Sequence, residues 1–217
     1  MLMLANSRLV ESSQTAPHPR LAEVATRHLH MAYRRVPSDA GRAAFASVAD
    51  RLREPFVLDA GCGTGASTLA LAREHPRRIV IGVDKSAVRL AAGGKSSAPV
   101  PANAILLRCN LVDFWQLASA AGMRCDRQYL LYPNPWPKPE QLMRRWHAHP
   151  VFPAMLALGG GIELRTNWCV YAKEFITAAD AAGLDVRCEP FAPDEPLTPF
   201  ERKYAASGHA LWRCVAG

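Results

Sequence analysis

The sequence predicts an α/β fold with a doubly wound, mostly parallel sheet, and three observations support this prediction. First, strand patterns and helix patterns alternate from residue 56 onwards. Second, the first predicted strand runs directly into a glycine-rich turn, DAGCGTG at 59–65. Third, the next two strands also end in polar residues, and sheets of this kind bind ligands at the carboxyl ends of their strands. A chain of 217 residues fits one large domain, or one domain with a small appendage.

Ahead of the alternating part, the sequence predicts a loose polar arm and two helices. The second helix has Ser38 or Asp39 as a possible N-terminal cap. We therefore divide the chain into an N-terminal arm with helices, 1–52, and one α/β domain, 53–217. The arm and the two helices are predicted at 1–19, 20–35 and 38–52.

The α/β domain is predicted as five strands that alternate with helices, followed by two closing strands. The alternating strands are placed at 56–60, 78–84, 103–109, 126–132 and 161–167. The helices are placed at 65–75, 86–93, 112–122, 149–161 and 170–183. The closing strands are placed at 184–190 and 209–216. A Pro-rich segment, LLYPNPWPKP at 130–139, interrupts this pattern after the fourth strand and needs its own explanation.

Composition limits the partners and the compartment. The formal net charge of +7 favours a polyanionic partner, nucleic acid first, although a basic surface can also serve solubility alone. No apolar run approaches a membrane span and the N-terminal apolar stretch is too short for a signal peptide, so we expect a cytoplasmic protein that binds no membrane. Cysteines at 62, 109, 125, 169, 188 and 214 form no C-x-x-C pair. We expect them to be small buried side chains in a reducing compartment, without a disulfide or a metal site.

The glycine-rich turn indicates a cofactor site. Gly61, Gly63 and Gly65 allow a tight turn and a close approach of the backbone to a ligand. Their G-x-G-x-G spacing differs from the usual dinucleotide pattern, and the turn lacks the G-K-[ST] ending of a phosphate-binding loop. Asp59, at the end of the first strand, would repel phosphate but suits the cationic amino-acid part of a ligand.

Polar residues at the next two strand ends extend this site. A carboxylate at the position of Asp84 accepts hydrogen bonds from ribose hydroxyls, and Asn110 could pair with the amino edge of an adenine. The following residues, Lys85 and Leu111, are included in the predicted site. Together these features fit S-adenosylmethionine. The alternative is an ordinary tight turn between strand and helix with a capping Asp.

The Pro-rich segment indicates a substrate site. Its prolines hold Asn134 stiffly at the end of the fourth strand. Trp136 could stack on an extruded base or simply pack the end of the strand. The cations that could contact phosphates, or that could form only a solvated basic face, are Lys138, Arg144 and Arg145.

Two stretches, YPNPWPK and LTPFERKYAASGHALWRCV, together with the strand and glycine turn, resemble the tRNA (guanine-N7)-methyltransferases over roughly residues 50–217. The resemblance implies a class I methyltransferase (Rossmann-like) fold, S-adenosylmethionine as cofactor and a guanine in tRNA as substrate. It assigns the cofactor to Asp59, Gly61, Gly63, Gly65, Asp84 and Asn110. It assigns the substrate to Asn134, Trp136, Lys138, Thr198 and Glu201, with Asn134 in the catalytic position, and we add Arg144, Arg145 and Asn167.

The chain departs from the family pattern at three acidic positions. Asn110, Asn134 and Asn167 are amides where the family usually carries Asp, and the basic run after the Pro-rich segment is reduced. The resemblance therefore leaves open guanine-N7 methylation, methylation of another base or a small molecule, and a cofactor- or RNA-binding relative without turnover. We expect a monomer or homodimer that binds tRNA and no metal.

Overall fold

The computed structural model describes residues 7–93 and 99–217. Its strands are β1 Phe56–Ala60, β2 Val80–Asp84, β3 Ala104–Arg108, β4 Cys125–Leu131, β5 Gly161–Thr166, β6 Val186–Phe191 and β7 Leu211–Ala216. Its α-helices are α1 Leu21–Leu29, α2 Asp39–Ala46, α3 Ala66–Glu74, α4 Ala87–Gly93, α5 Leu111–Ala120, α6 Phe152–Ala157, α7 Cys169–Ala181 and α8 Pro199–Ala206. Short 3-10 helices cover Ala49–Leu52, Pro139–Arg144 and Trp146–Ala148.

The strands form a seven-stranded sheet in the order β3-β2-β1-β4-β5-β7-β6. This arrangement, mostly parallel with helices between the strands, confirms the predicted fold class. The chain separates into two compact units, which we name after their most distinctive segments. The glycine-loop unit comprises Arg34–Leu131 and Ala154–Gly161. The proline-segment unit comprises Met1–Tyr33, Tyr132–Pro153 and Ile162–Gly217. The division at residue 52 stays a prediction.

The glycine-loop unit contains parallel strands only. β1 pairs with β2 on one side and β4 on the other, and β3 pairs with β2. Every residue of β1 and β2 is buried, as expected for the short continuous apolar runs that parallel sheets require. Phe114 and Trp115 of α5 are also fully buried, and the Phe114 ring meets the Phe56 ring of β1 edge-on. This core fixes the carboxyl ends of β1, β2 and β3 beside one another.

The proline-segment unit contains antiparallel strands, because β7 pairs with β5 on one side and β6 on the other. α7 packs on α1 and on β6 and β7, and it buries Tyr171 and Phe175. The cysteine prediction is wrong at one pair, since Cys188 and Cys214 form a disulfide. The two residues are separated by 26 positions but lie directly opposite each other on β6 and β7, which no spacing rule reveals. The other four cysteines are free, as predicted.

Several element boundaries differ from the predicted ones. The helix predicted at 20–35 ends at Leu29, because only its first part has apolar side chains on a buried face. The helix predicted at 149–161 is shortened to α6, which ends before the positive φ angles of Gly159 and Gly160. The helix predicted at 38–52 is divided into α2 and the 3-10 helix Ala49–Leu52. α8 and the other two 3-10 helices are absent from the prediction, although Thr198 followed by a Pro is a recognised start signal for a helix. Ser38 does cap α2, accepting from the Gly41 N–H at 3.0 Å.

Candidate active site

The glycine-rich turn adopts a backbone conformation that glycine favours. Gly61, Gly63 and Gly65 have φ angles of +82°, +59° and +80°, in the left-handed region that side chains disfavour. A Cβ at Gly65 would also lie 2.6 Å from Leu106. Around Gly63, by contrast, a Cβ would meet no atom within 4 Å, so the described residues leave the backbone there open to a ligand.

Asp59 stabilises the turn by binding the first residues of α3, the helix that follows it. Its carboxylate is buried and accepts hydrogen bonds from the hydroxyls of Ser67, at 2.6 Å, and Thr68, at 2.7 Å, both in the first turn of α3. Burial raises the pKa of Asp59 to about 6, even though both hydroxyls act in the opposite direction. Asp59 therefore connects β1 to α3 through two side-chain hydrogen bonds.

Asp84 links the turn to the end of β2. Its Oδ2 accepts from the Gly63 N–H at 3.0 Å, and its Oδ1 accepts from the Ser86 N–H at 2.8 Å. Arg89 adds an ion pair at 3.2 Å. Each carboxylate oxygen has two lone pairs, so Oδ2 retains the capacity for one more hydrogen bond. Lys85, the next residue, is exposed.

Asn110 lies at the end of β3, where its Oδ1 caps α5 by accepting from the Val112 N–H at 2.9 Å. Its exposed amide therefore offers mainly the NH₂ group to a ligand. Leu111 is buried, and it lies 3.8 Å from the position of a Cβ on Gly61. The open glycine backbone, the Asp84 acceptor and the Asn110 donor fit the polar groups of S-adenosylmethionine.

The Pro-rich segment has two strained positions on either side of Asn134. Tyr132 and Trp136 have φ angles of +51° and +46°, which are unusual for residues with side chains. The Tyr132 N–H donates to the Arg165 carbonyl at 2.8 Å and so attaches the segment to the end of β5. Asn134 is exposed, and its Oδ1 accepts from the Trp136 N–H at 3.2 Å. The segment therefore holds Asn134 in a tight turn with its amide accessible.

Arg145 is a correction to the sequence prediction. It is 0% exposed, and its guanidinium binds both carboxylate oxygens of Glu174 at 2.6 Å. It also donates to the carbonyls of Trp136 and Lys138. A phosphate cannot reach it in this conformation. Arg145 instead holds the Pro-rich segment in place from inside the unit. The residues next to Arg145 in the sequence do not indicate this role.

Arg144 and Lys138 are both exposed, and their contact with phosphates stays a prediction. The Arg144 guanidinium lies over the Trp136 ring, 4.7 Å from the ring centroid. Trp136 is half-buried, so its indole supports a cation and remains partly accessible. These three side chains form a small basic and aromatic surface.

Glu201 and Thr198 are buried, and the structure uses both internally. Thr198 caps α8 by accepting from the Glu201 N–H at 2.9 Å. The Glu201 carboxylate accepts from the Tyr132 hydroxyl at 3.0 Å and pairs with Arg165 at the same distance. A direct contact of Glu201 with a base is therefore not available here, and the pattern T-x-x-E is a helix start with a buried acid.

Asn167 follows β5 and contacts a residue that the site prediction omitted. Its Nδ2 lies 3.1 Å from Nδ1 of His209, and the other ring nitrogen, Nε2, lies 3.0 Å from the Ser7 carbonyl oxygen. Glu174 and Arg165 were also missed, because each acts through partners distant in sequence. The G-H pair at 208–209 was the only signal in the sequence for His209.

Neither a metal cluster nor a membrane helix appears in the parts of the chain that the structure describes. No group of three or more His, Cys, Asp or Glu side chains there could hold a metal ion. No helix among residues 7–93 and 99–217 is long and apolar enough to cross a membrane.

Comparisons with known proteins show which sequences this chain resembles. A family model described as "Putative methyltransferase" matches residues 53–214. The tRNA (guanine-N(7)-)-methyltransferase of Halorhodospira halophila is 31% identical over 72% of this chain and 72% of its own length. The enzyme of the same name from Stutzerimonas stutzeri is 29% identical over 73% and 70%.

Solved structures share the fold. A 16S rRNA (adenine(1408)-N(1))-methyltransferase from Catenulisporales acidiphilia, with SAM as cosubstrate, has a TM-score of 0.54 at 17% identity, covering 83% of this chain and 92% of the other. The 16S rRNA methyltransferase KamB also has a TM-score of 0.54, at 20% identity, covering 84% and 94%. At these identities the likeness supports the fold alone.

Proposed function

This chain belongs to the tRNA (guanine-N7)-methyltransferase family, and we propose that it transfers a methyl group from S-adenosylmethionine to N7 of a guanine in tRNA. It is an S-adenosylmethionine-dependent methyltransferase. The observation that carries the substrate assignment is the match to relatives of that name over most of both chains. The positive charge of +7 supports a polyanionic substrate.

We assign the cofactor to the glycine-loop unit. S-adenosylmethionine supplies a methyl group on a positively charged sulfur. Gly61 and Gly63 let the backbone approach it, Asp84 accepts from a ribose hydroxyl, and the Asn110 NH₂ donates to the adenine. Asp59 keeps the turn in shape through α3 without contact to the ligand. The proposed cofactor site also includes Gly65, Lys85 and Leu111.

The reaction itself requires alignment more than acid or base chemistry. The lone pair of guanine N7 forms a bond to the methyl carbon as the bond from that carbon to sulfur breaks, and no proton has to be removed. Holding the two reactants in line can lower the barrier by several kcal/mol, roughly 7–11 in the best cases. Asn134, stiffened by its prolines and by the turn to Trp136, would orient the base. It is a positioning group in this reaction and exchanges no proton.

The exposed surface of Trp136, Lys138 and Arg144 would hold the RNA around the target base. The indole offers a stacking face, and the two cations can meet phosphates. Thr198, Glu201 and Arg145 support this surface from inside the unit.

The test is to incubate the protein with labelled S-adenosylmethionine and unmodified tRNA, digest the RNA and identify the labelled nucleoside. We expect label in 7-methylguanosine. Asp84→Ala should weaken cofactor binding, measured by calorimetry, about tenfold to a hundredfold, because it removes a charged acceptor. Asp50→Ala is the matched control, since Asp50 is an exposed carboxylate that pairs with the exposed Arg53. Label in another nucleoside, or cofactor binding without transfer to any RNA, would overturn the proposal.

A further inference from the structure

Two amides of the proline-segment unit have opposite hydrogen-bonding polarity, and the first is Asn134. Its Oδ1 accepts from the Trp136 N–H at 3.2 Å, and a backbone N–H can be accepted only by the oxygen of the amide. The described residues provide no partner for its Nδ2. Because the side chain is exposed, Asn134 presents an NH₂ donor to whatever binds there.

The second amide is Asn167, and His209 determines which of its atoms faces outwards. The Ser7 carbonyl can only accept, so Nε2 of His209 must carry a proton to donate to it. In the neutral ring, Nδ1 then carries a lone pair and no proton, so it can only accept. The amide of Asn167 therefore turns its NH₂ to His209, 3.1 Å away. Its Oδ1 has no partner in the described part of the chain, so Asn167 presents an acceptor.

The two amides belong to adjacent segments. The N–H of Tyr132 donates to the carbonyl of Arg165 at 2.8 Å, which joins the segment after β4 to the end of β5. Asn134 lies two residues after Tyr132, and Asn167 lies two residues after Arg165. The donor Asn134 and the acceptor Asn167 therefore lie at equivalent positions, each two residues after a member of this hydrogen-bonded pair.

Guanine offers a matching pair of groups. Its O6 is an acceptor that neighbours N7 on one side. On the other side of O6 lies the N1–H donor of the pairing edge. A protein that contacts O6 and N1–H leaves the N7 lone pair uncovered, as methylation there requires. Adenine has the opposite polarity at these two positions, with an amino donor and a bare ring nitrogen.

We propose that Asn134 and Asn167 read the O6 and N1–H groups of the target guanine, and that His209 is a positioning residue that sets the polarity of Asn167. Asn134 donates its NH₂ to O6, and Asn167 accepts from N1–H through Oδ1. Ser7 of the N-terminal arm takes part by fixing the tautomer of His209. This inference rests on the proposed guanine-N7 methylation and specifies how that substrate is recognised.

Asn134→Asp is the central variant, because it keeps an oxygen for the Trp136 N–H but replaces the outward donor by an acceptor. We expect kcat/KM on guanine-containing tRNA to fall at least about tenfold, since two acceptors then face each other. On tRNA with 2-aminopurine at the modified position, which retains N7 but lacks O6 and N1–H, Asn134→Asp and the wild type should be equally slow. Thermal unfolding and cofactor affinity, both expected to be unchanged, serve as controls for folding.

His209 is tested by rescue. His209→Leu should lower kcat/KM for guanine-containing tRNA and leave the rate on the 2-aminopurine RNA unchanged. His209→Gln, whose amide can accept from Asn167 and donate to Ser7, should restore most of the difference. A purely structural role would lower both rates together. If the wild type methylates guanine but Asn134→Asp is equally or more active, the inference fails and the proposed function stands. If the wild type transfers no methyl to guanine, the proposed function fails.

Discussion

The two units of this protein differ in where their charged side chains lie. In the glycine-loop unit the acids of the cofactor motif are present, and Asp59 and Asp84 bind the turn and the helix that follow β1. In the proline-segment unit the positions that follow β4 and β5 carry amides, the exposed Asn134 and the half-buried Asn167. The same unit contains a fully buried ion pair between Arg145 and Glu174, in addition to the exposed cations Lys138 and Arg144. The glycine-loop unit thus uses carboxylates to stabilise the turn of the candidate cofactor site, whereas the proline-segment unit uses a buried ion pair to stabilise its own fold.

The largest expected effect is at the buried ion pair of the proline-segment unit. Glu174→Gln leaves the Arg145 guanidinium buried without its counter-charge, which should cost about 3–5 kcal/mol of unfolding free energy. Urea unfolding measures it. Glu189→Gln is the matched control, because Glu189 pairs with Arg187 on the surface and should change stability by less than about 1 kcal/mol. Equal effects at the two positions would contradict a structural role for the pair.

The same pair predicts a pH dependence. Burial alone would raise the pKa of Glu174, but the interaction with His147 and the hydrogen bonds from Arg145 and the His18 N–H hold it at about 2. The carboxylate therefore stabilises the folded state above the ordinary pKa of a Glu, near 4.5, and this stabilisation is lost as the pH falls towards 2. Glu174→Gln should remove this part of the acid sensitivity.

A smaller and opposite pH dependence is expected in the glycine-loop unit. The pKa of Asp59 is raised from 3.8 to about 6, chiefly by burial. The stability that protonated Asp59 contributes is thus complete below about pH 4 and is lost as the pH rises through 6, a change of up to about 3 kcal/mol. Asp59→Asn should flatten the unfolding free energy over this range. An unchanged pH slope in the variant would show that Asp59 is not a strained buried acid.

The smallest expected effect is at the start of α8. Thr198→Ala removes the cap on the Glu201 N–H and should lower the unfolding free energy by about 1 kcal/mol. Thr198→Ser keeps the hydroxyl and should be nearly neutral. A large loss of methylation by the Ala variant with no loss of stability would instead place Thr198 in direct contact with the substrate.

The sequence predicts the glycine-loop unit well because its features are local. Each of these features follows from a few neighbouring residues: three left-handed glycines, the Ser38 cap and the polar residues at the carboxyl ends of β1, β2 and β3. Even so, the sequence did not show that Asp59 and Asn110 use their oxygens to stabilise α3 and α5.

The sequence predicts less of the proline-segment unit, because many contacts there join residues that are distant in the chain. Arg145 and Glu174 are 29 positions apart, and the His209 ring meets a residue 202 positions away. Both pairings depend on tertiary packing. From the sequence alone, the adjacent Arg144 and Arg145 were therefore both predicted to contact phosphates. The start of α8 is different, because the T-x-x-E pattern at Thr198 and Glu201 is a local signal that could have been recognised.

We propose that this protein places the methyl group on guanine N7 in tRNA. The most direct measurement is to methylate unmodified tRNA with the protein, reduce the RNA with borohydride and treat it with aniline, which breaks the chain at 7-methylguanosine. We expect breaks at a guanine that appear only after incubation with both protein and S-adenosylmethionine, and that are strongly reduced with Asp84→Ala. Transfer of labelled methyl to tRNA that then resists cleavage would contradict it.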